Sequence, residues 1–166
     1  EAIIAGSAES QATARLVLLM LEAARIAIGE QRDALGSLDA VAGDGDHGIG
    51  MQRGIDAAVK AAKNALLAQA GVESLLEVAG NAWSDQAGGT SGALWGVMLR
   101  SVGSALGNQL APSGSSVAAG IASALHNVVV LGKAQLGDKT LVDVLHPLSV
   151  SLDAAVSRGF TLSAAW

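Results

Sequence analysis

The fold class is decided by residues 72–110, which read VESLLEVAGNAWSDQAGGTSGALWGVMLRSVGSALGNQL. Apolar residues recur at helical spacing in the first half, so we expect a helix over residues 72–86. The side chains expected to face inward are Leu75, Leu76, Val78, Ala79 and Trp83. The Gly88–Gly89 pair interrupts this pattern, and a second apolar helix follows over about residues 91–110. Two long helices joined by so short a break should pack antiparallel.

The rest of the chain shows the same helical organisation. No segment has the strict two-residue alternation of a half-buried strand. We therefore expect an all-α fold of antiparallel helices in one domain covering residues 1–166. The further expected elements are a helix over 8–28 ended by Gly29, a short helix or turn and then a loop over 30–46, a helix over 47–70, a buried helix over 117–133, a helix over 141–156 that Pro147 kinks or breaks, and a last helix near Thr161.

Composition and charge narrow the function classes. The chain has no Cys, which excludes disulfides and thiolate metal sites and fits the reducing cytoplasm. The net charge is −5 and no run of Lys or Arg occurs, so no nucleic-acid partner is expected. The apolar segment Val117–Gly132 is shorter than a membrane-spanning helix, so no membrane partner is expected either.

An acidic loop is the first candidate site. Residues 38–48 read LDAVAGDGDHG and place Asp39, Asp44 and Asp46 close together without a Lys or Arg among them. Clustered carboxylates need a counter-charge, and a hard divalent cation such as Mg²⁺ is the usual one. The residues alone favour a solvated acidic turn, with Asp46 as a helix N-cap, equally well. A Ca²⁺ loop of the EF-hand type is excluded because the twelfth position from Asp44 is Ile55 rather than Glu.

Two glycine-rich segments are weaker signals. Residues 87–92, AGGTSG, precede an apolar helix, where free backbone N–H groups attract anions. A flexible turn with Ser91 as the N-cap is the favoured alternative for this segment taken alone. Residues 132–140 approach the P-loop pattern, but Asp138 interrupts it and no strand precedes it, so a P-loop is rejected.

Five segments carry a joint resemblance. They are Asp39 followed by Asp44-Gly45-Asp46-His47-Gly48, then Met51-x-Arg53-Gly54, Gly88-Gly89-Thr90-Ser91-Gly92, Gly132-Lys133-Ala134, and Gly137-Asp138-Lys139-Thr140-Leu141-x-Asp143. In this order and spacing the chain resembles the L subunit, or L domain, of dihydroxyacetone kinases. The resemblance implies an antiparallel barrel of eight helices with ADP or ATP bound at one rim.

The resemblance also implies a role for individual residues. Two Mg²⁺ ions would be held by Asp39, Asp44 and Asp46. The nucleotide phosphates would meet His47, Gly48, Ile49 and Gly50 on one side and Gly89, Thr90 and Ser91 on the other. Gly132 and Leu141 would line the adenine pocket. Gly50 stands where many family members have Asn, and Leu141 stands where Met is common.

The family further implies partners. A K domain or subunit would hold dihydroxyacetone or a similar ketose such as erythrulose, and the L domain would supply the phosphoryl group. Two donors remain open, ATP itself or a phosphotransferase-system protein that rephosphorylates a retained ADP. A nucleotide-binding regulatory module that signals by docking to another protein is the alternative function. Family chains continue with further segments, so we expect a C-terminally incomplete domain and a homo- or hetero-oligomer.

Overall fold

The structure is a computed structural model that describes residue 3 and residues 5–165, and over this range it is helical, with one isolated bridge between Ala5 and Ala70. The prediction of an all-α fold is therefore confirmed. The helices are α1 (Ala8–Asp39), α2 (His47–Leu67), α3 (Val72–Ala87), α4 (Gly89–Leu106), α5 (Gly114–Gly132), α6 (Val142–Ser157) and α7 (Leu162–Ala165).

Each helix packs mainly against the next one along the chain. Because the connections are short, neighbours run antiparallel, and one end of the molecule gathers the C-termini of α1, α3 and α5 with the N-termini of α2, α4 and α6. Trp83 of α3 stacks on Trp95 of α4, with ring centroids 5.2 Å apart. One apolar cluster fills the space between α1, α2 and α3, and a second joins α4, α5 and α6.

The first helix is longer than the sequence predicted. We expected Gly29 to end it, but α1 continues to Asp39 over 32 residues. A glycine inside an exposed helix costs only about 1 kcal/mol relative to alanine, which neighbouring turns can offset. A Cβ at position 29 would lie 3.2 Å from Gln52 Oε1, so this glycine lies close to α2. The longer α1 brings Asp39 to the end of the molecule where α2 begins.

The helix predicted over 117–133 is present, but the expectation that it is buried is wrong. Helix α5 begins at Gly114, its N-cap Ser113 forms a capping box with Ser116, and only one face is buried. By length and composition alone α5 is long and apolar enough to cross a membrane, and 22% of its apolar window is buried. Its buried face packs between α4 and α6, and Asn127 donates a hydrogen bond to Ser101 of α4.

The remaining helix boundaries lie within a few residues of their predicted positions. Helix α4 begins two residues earlier than expected and ends at Leu106. Helix α6 contains Pro147 without a break in the helical assignment. The short helix α7 follows the turn at Gly159, as predicted.

A buried network of polar side chains stabilises the end of the molecule opposite Asp39. Asn108 Oδ1 accepts the backbone N–H of Ser74, and its amide nitrogen donates to Ser74 Oγ. Ser10 Oγ accepts the N–H of Val72. These bonds satisfy backbone donors at the N-terminus of α3, which have no partner within the helix. They link α1, α3 and the α4–α5 connection and so fix the relative positions of the helices.

Candidate functional site

The three aspartates of the acidic loop converge at the junction of α1 and α2. Asp39 is the last residue of α1, and Asp44 and Asp46 lie in the loop before His47 opens α2. One carboxylate oxygen from each lies within 4.8 Å of those of the other two. Asp39 is partly buried, whereas Asp44 and Asp46 are more exposed. The three side chains therefore share one place.

Backbone groups hold the Asp39 carboxylate in position. Its Oδ2 accepts the N–H of Gly45 at 2.9 Å and the N–H of His47 at 3.4 Å. A Cβ at position 43 would lie 2.6 Å from Asp39 Oδ1, so the loop needs glycine there to pass the carboxylate. Gly45 has φ +80°, a left-handed conformation that glycine adopts without steric cost. The loop is therefore built around the Asp39 side chain.

The capping alternative is met in position but not in hydrogen bonding. Asp46 does occupy the N-cap position of α2, but its side chain makes no capping hydrogen bond. Its carboxylate is thus left available to the cluster. Gly48 lies so close to the backbone carbonyl of Arg32 that a Cβ would collide with it. This close approach presses the first turn of α2 against α1 beside the cluster.

The opposite wall is the junction between α3 and α4. A single residue, Gly88, separates the two helices, and Gly88 and Gly89 have φ values of +71° and +61°. The expectation that Ser91 caps α4 is wrong, since Gly88 is the N-cap and no side chain caps the helix. Left-handed glycines allow the sharp reversal, so α4 can begin earlier. Ser91 Oγ instead lies 3.5 Å from His47 Nδ1, across the gap.

A cleft of about 390 Å³ lies between these walls. It contains eight of the residues that the resemblance implicated, and they are Asp39, Asp44, Asp46, His47, Gly50, Gly89, Thr90 and Ser91. The N-termini of α2 and α4 both open into it, and the first backbone N–H groups of a helix have no partner within the helix. A cleft with carboxylates at one end and helix N-termini on two walls can hold a metal ion together with an anion.

Four implicated residues lie outside the cleft lining. Gly48 is buried against α1, and Ile49 is half exposed. Gly132 ends α5 and Leu141 precedes α6, so both belong to the same end of the molecule as the cleft. A Cβ on Gly132 would contact the side chain of Leu94 in α4, and Leu141 packs on the apolar cluster that Leu94 also joins. These two residues therefore border a neighbouring apolar region beyond the N-terminus of α4.

Sequence reasoning gave no role to two side chains that line the cleft. Met51 and Arg53 follow the first turn of α2 and face the same space as His47 and Gly50. The available signal was helical spacing. Gly50 and Met51 follow His47 by three and four residues, and Arg53 follows Gly50 by three, so these residues are neighbours on the surface of α2. Met51 is buried and Arg53 is exposed.

The connection between α5 and α6 is organised by another aspartate. Asp143 in the first turn of α6 accepts N–H bonds from Gly137 at 2.7 Å and Thr140 at 3.0 Å. These bonds, with that of Gly137 the larger cause, lower the pKa of Asp143 below its ordinary value. Gly137 and Lys139 both have left-handed backbone angles. The carboxylate thus fixes a turn that ends next to Leu141.

The chemistry of the aspartate cluster fits a hard cation. All its donors are carboxylate oxygens, which Mg²⁺ prefers, and the cluster has no nitrogen or sulfur ligand of the kind that Zn²⁺ selects. Among the described residues no Lys or Arg nitrogen lies within 4.0 Å of Asp39, Asp44 or Asp46. Three carboxylates without a protein counter-charge are stabilised by a bound cation.

Comparison with known families agrees with this geometry. The family model described as the DAK2 domain matches residues 41–166. The chain belongs to the DAK2 domain family. The resemblance to the L domain of dihydroxyacetone kinases is thereby confirmed.

Curated relatives of this DAK2 domain are ketose kinases. It is 49% identical over its whole length to an L-erythrulose kinase from Pectobacterium atrosepticum. A D-erythrulose kinase from Mycolicibacterium smegmatis is 43% identical over 95% of the chain. An ADP-binding subunit, DhaL, of a PEP-dependent dihydroxyacetone kinase from Listeria innocua is 32% identical over 72% of the chain and is matched over 56% of its own length. The chain spans 28% and 27% of the two erythrulose kinases.

A solved structure has the same fold. The dihydroxyacetone kinase from C. freundii, in complex with AMP-PNP and Mg²⁺, superposes with a TM-score of 0.69 at 23% identity. The match covers 99% of this DAK2 domain and 28% of that chain. It shows that the helical arrangement described above is that of a domain within a longer kinase.

Proposed function

We propose that this DAK2 domain binds ADP or ATP together with Mg²⁺ and supplies the phosphoryl group for phosphorylation of a short-chain ketose. The observation that carries the proposal is the convergence of Asp39, Asp44 and Asp46 opposite the N-terminus of α4 in one cleft. The names of the relatives support it, since one binds ADP and two are erythrulose kinases.

In the proposed site the carboxylates hold two Mg²⁺ ions, which would neutralise charge on the phosphates and orient them for transfer. The first turn of α2, with His47, Gly48, Ile49 and Gly50, would border the phosphates on one side. The backbone N–H groups at Gly89, Thr90 and Ser91 would face them from α4, with the two hydroxyl groups as further donors. Such preorganised donors stabilise phosphate oxygens without adding charge.

The adenine ring is proposed to lie beyond the N-terminus of α4. Gly132 and Leu141 would form its pocket with Leu94, the apolar side chain that Gly132 contacts. Since the carboxylates lie at the α1–α2 junction, the nucleotide would run from the α5–α6 connection past Ser91 to Asp39. The terminal phosphate is then the one nearest α2.

The ketose is proposed to come from a separate domain. The cleft residues provide metal ligands and anion donors but no set of side chains matched to a sugar. A K domain, fused or separate, would present the acceptor hydroxyl to the open side of the cleft in the cytoplasm. The identities of 49% and 43% with erythrulose kinases favour erythrulose as the ketose. ATP is the proposed donor.

A reconstitution assay tests this proposal. The chain is mixed with the separately produced ketose-binding domain of the L-erythrulose kinase, with ATP, Mg²⁺ and erythrulose, and phosphorylated ketose is measured. We expect product that requires both proteins and Mg²⁺. Nucleotide binding without transfer to erythrulose or dihydroxyacetone would favour the regulatory docking module. Transfer only after addition of a phosphotransferase-system protein would assign the donor to that protein.

A further inference from the structure

We propose that Arg53 is the ligand of the terminal phosphate and that it makes the site prefer a nucleoside triphosphate to a diphosphate. This assignment rests on the proposed function and adds to it a side chain that distinguishes a nucleoside triphosphate from a diphosphate. Of the residues that line the cleft, Arg53 carries the one permanent positive charge.

The first argument is that Arg53 has no structural task in the described part of the chain. No carboxylate oxygen of a described residue lies within 4.0 Å of its guanidinium nitrogens, although three aspartates share the cleft. Other arginines do have described partners, as Arg25 does in Asp56 and Arg100 in Asn81. An exposed, unpaired arginine on a cleft wall retains its planar set of donors for a phosphate.

The second argument is the position of Arg53 along α2. It lies six residues after His47, which is about 9 Å along the helix axis. Side chains on a helix lean toward its N-terminus, so the guanidinium extends back toward His47 and the cleft. Gly50, three residues earlier on the same side of α2, also lines the cleft and has no side chain that would compete for the space.

The third argument is the order of the helices. The proposed adenine region lies at α5 and α6, the inner phosphates lie at the N-terminus of α4, and α2 is on the far side of α4 from α5. A diphosphate placed in this way ends near Ser91. A third phosphate extends the anion toward α2, where Arg53 is the available cation.

The test compares Mg·ADP with Mg·AMP-PNP by isothermal titration, using the parent chain and Arg53→Gln. Removing a charge-assisted phosphate contact typically weakens binding by about tenfold or more. We therefore expect Arg53→Gln to lose about tenfold affinity for Mg·AMP-PNP and less than about threefold for Mg·ADP. Arg53→Lys keeps the charge but loses the planar set of donors, so its affinity for Mg·AMP-PNP should lie between those of the parent chain and Arg53→Gln.

The matched control is Arg15→Gln. Arg15 is an exposed arginine near the start of α1, at the opposite end of the molecule, and its loss should change neither affinity. Far-UV circular dichroism checks that each variant is folded. If Arg53→Gln is unfolded, Arg53→Lys decides, because a selective loss for Mg·AMP-PNP supports the assignment and unchanged binding of both nucleotides overturns it.

The remaining outcomes separate this assignment from the function on which it rests. Equal losses for both nucleotides would overturn the assignment to the terminal phosphate and place Arg53 on the inner phosphates. No loss for either would overturn Arg53 as a phosphate ligand while leaving the nucleotide site intact. A folded parent chain that binds neither nucleotide would overturn the proposed function and this assignment together.

Discussion

His47 Nδ1 and Ser91 Oγ lie 3.5 Å apart and join the N-termini of α2 and α4 across the cleft. The two residues belong to helices that make few other contacts with each other, since α3 lies between them. The pair spans the cleft at the point where the two helix N-termini approach each other.

The His47–Ser91 contact should be energetically coupled during nucleotide binding. We expect His47→Ala and Ser91→Ala each to weaken Mg·ADP binding by about 1 kcal/mol, the typical worth of one hydrogen bond. The double variant should lose less than the sum, with a coupling energy of about 0.5 kcal/mol or more. Isothermal titration of the four proteins measures this. Strict additivity would show that the two residues act independently.

The metal loop should depend on the glycine at position 43. Gly43→Ala places a Cβ against Asp39 Oδ1, so the loop must move away from the carboxylate cluster. We expect Mg²⁺-dependent ADP affinity to fall by about tenfold, a cost of about 1.4 kcal/mol. Gly29→Ala is the control, because the added Cβ would contact only the end of the flexible Gln52 side chain. That change should leave binding intact and raise the free energy of unfolding by up to about 1 kcal/mol.

Asn108 should matter for stability and not for binding. It is 8% exposed, and replacing it with Ala removes the acceptor of the Ser74 N–H. A buried donor left without a partner costs about 1–3 kcal/mol, so urea denaturation of Asn108→Ala should show a loss of that size. The neighbouring Gln109 is exposed, and Gln109→Ala serves as the control. A loss of ADP affinity in folded Asn108→Ala would contradict the separation of this network from the cleft.

The turn held by Asp143 should respond to pH in a defined direction. Because N–H bonds from Gly137 and Thr140 lower the pKa of Asp143 in the folded state, its stabilising effect is complete above the unfolded value. The effect is then lost as the pH falls through the lowered folded value. A ¹³C NMR titration of the carboxyl group should give a midpoint below 3.8, the ordinary value. A midpoint at or above 3.8 would contradict the hydrogen bonding described here.

The sequence predicted the helices and the acidic cluster because both depend on local patterns. Apolar periodicity marks α3 and α4, and the density of Asp residues without a cation marks the loop at Asp44. The predicted helix ends were wrong where packing against another helix determines the boundary. Gly29 by itself favours a helix end, but its neighbours continue α1 to Asp39.

Other features could not be predicted from local sequence. The exposed part of α5 includes Val129, Val130 and Leu131, so apolar composition did not distinguish it from the buried face. The place of Arg53 on the cleft wall follows from the rotation of α2, which the local sequence does not determine. Gly132 lies outside the cleft because it is the last residue of α5, which does not form a wall of the cleft.

The central claim is that the carboxylate cluster binds nucleotide through Mg²⁺. The most direct measurement is isothermal titration of ADP into nucleotide-free, folded protein, with Mg²⁺ and then with EDTA, using the parent chain and Asp44→Ala. Asp33→Ala is the control, because Asp33 is an exposed aspartate on α1 away from the cluster. We predict binding by the parent and the control that requires Mg²⁺, and none by Asp44→Ala. Equal ADP affinity with Mg²⁺ and with EDTA, or unchanged Mg·ADP affinity in Asp44→Ala, would contradict the claim.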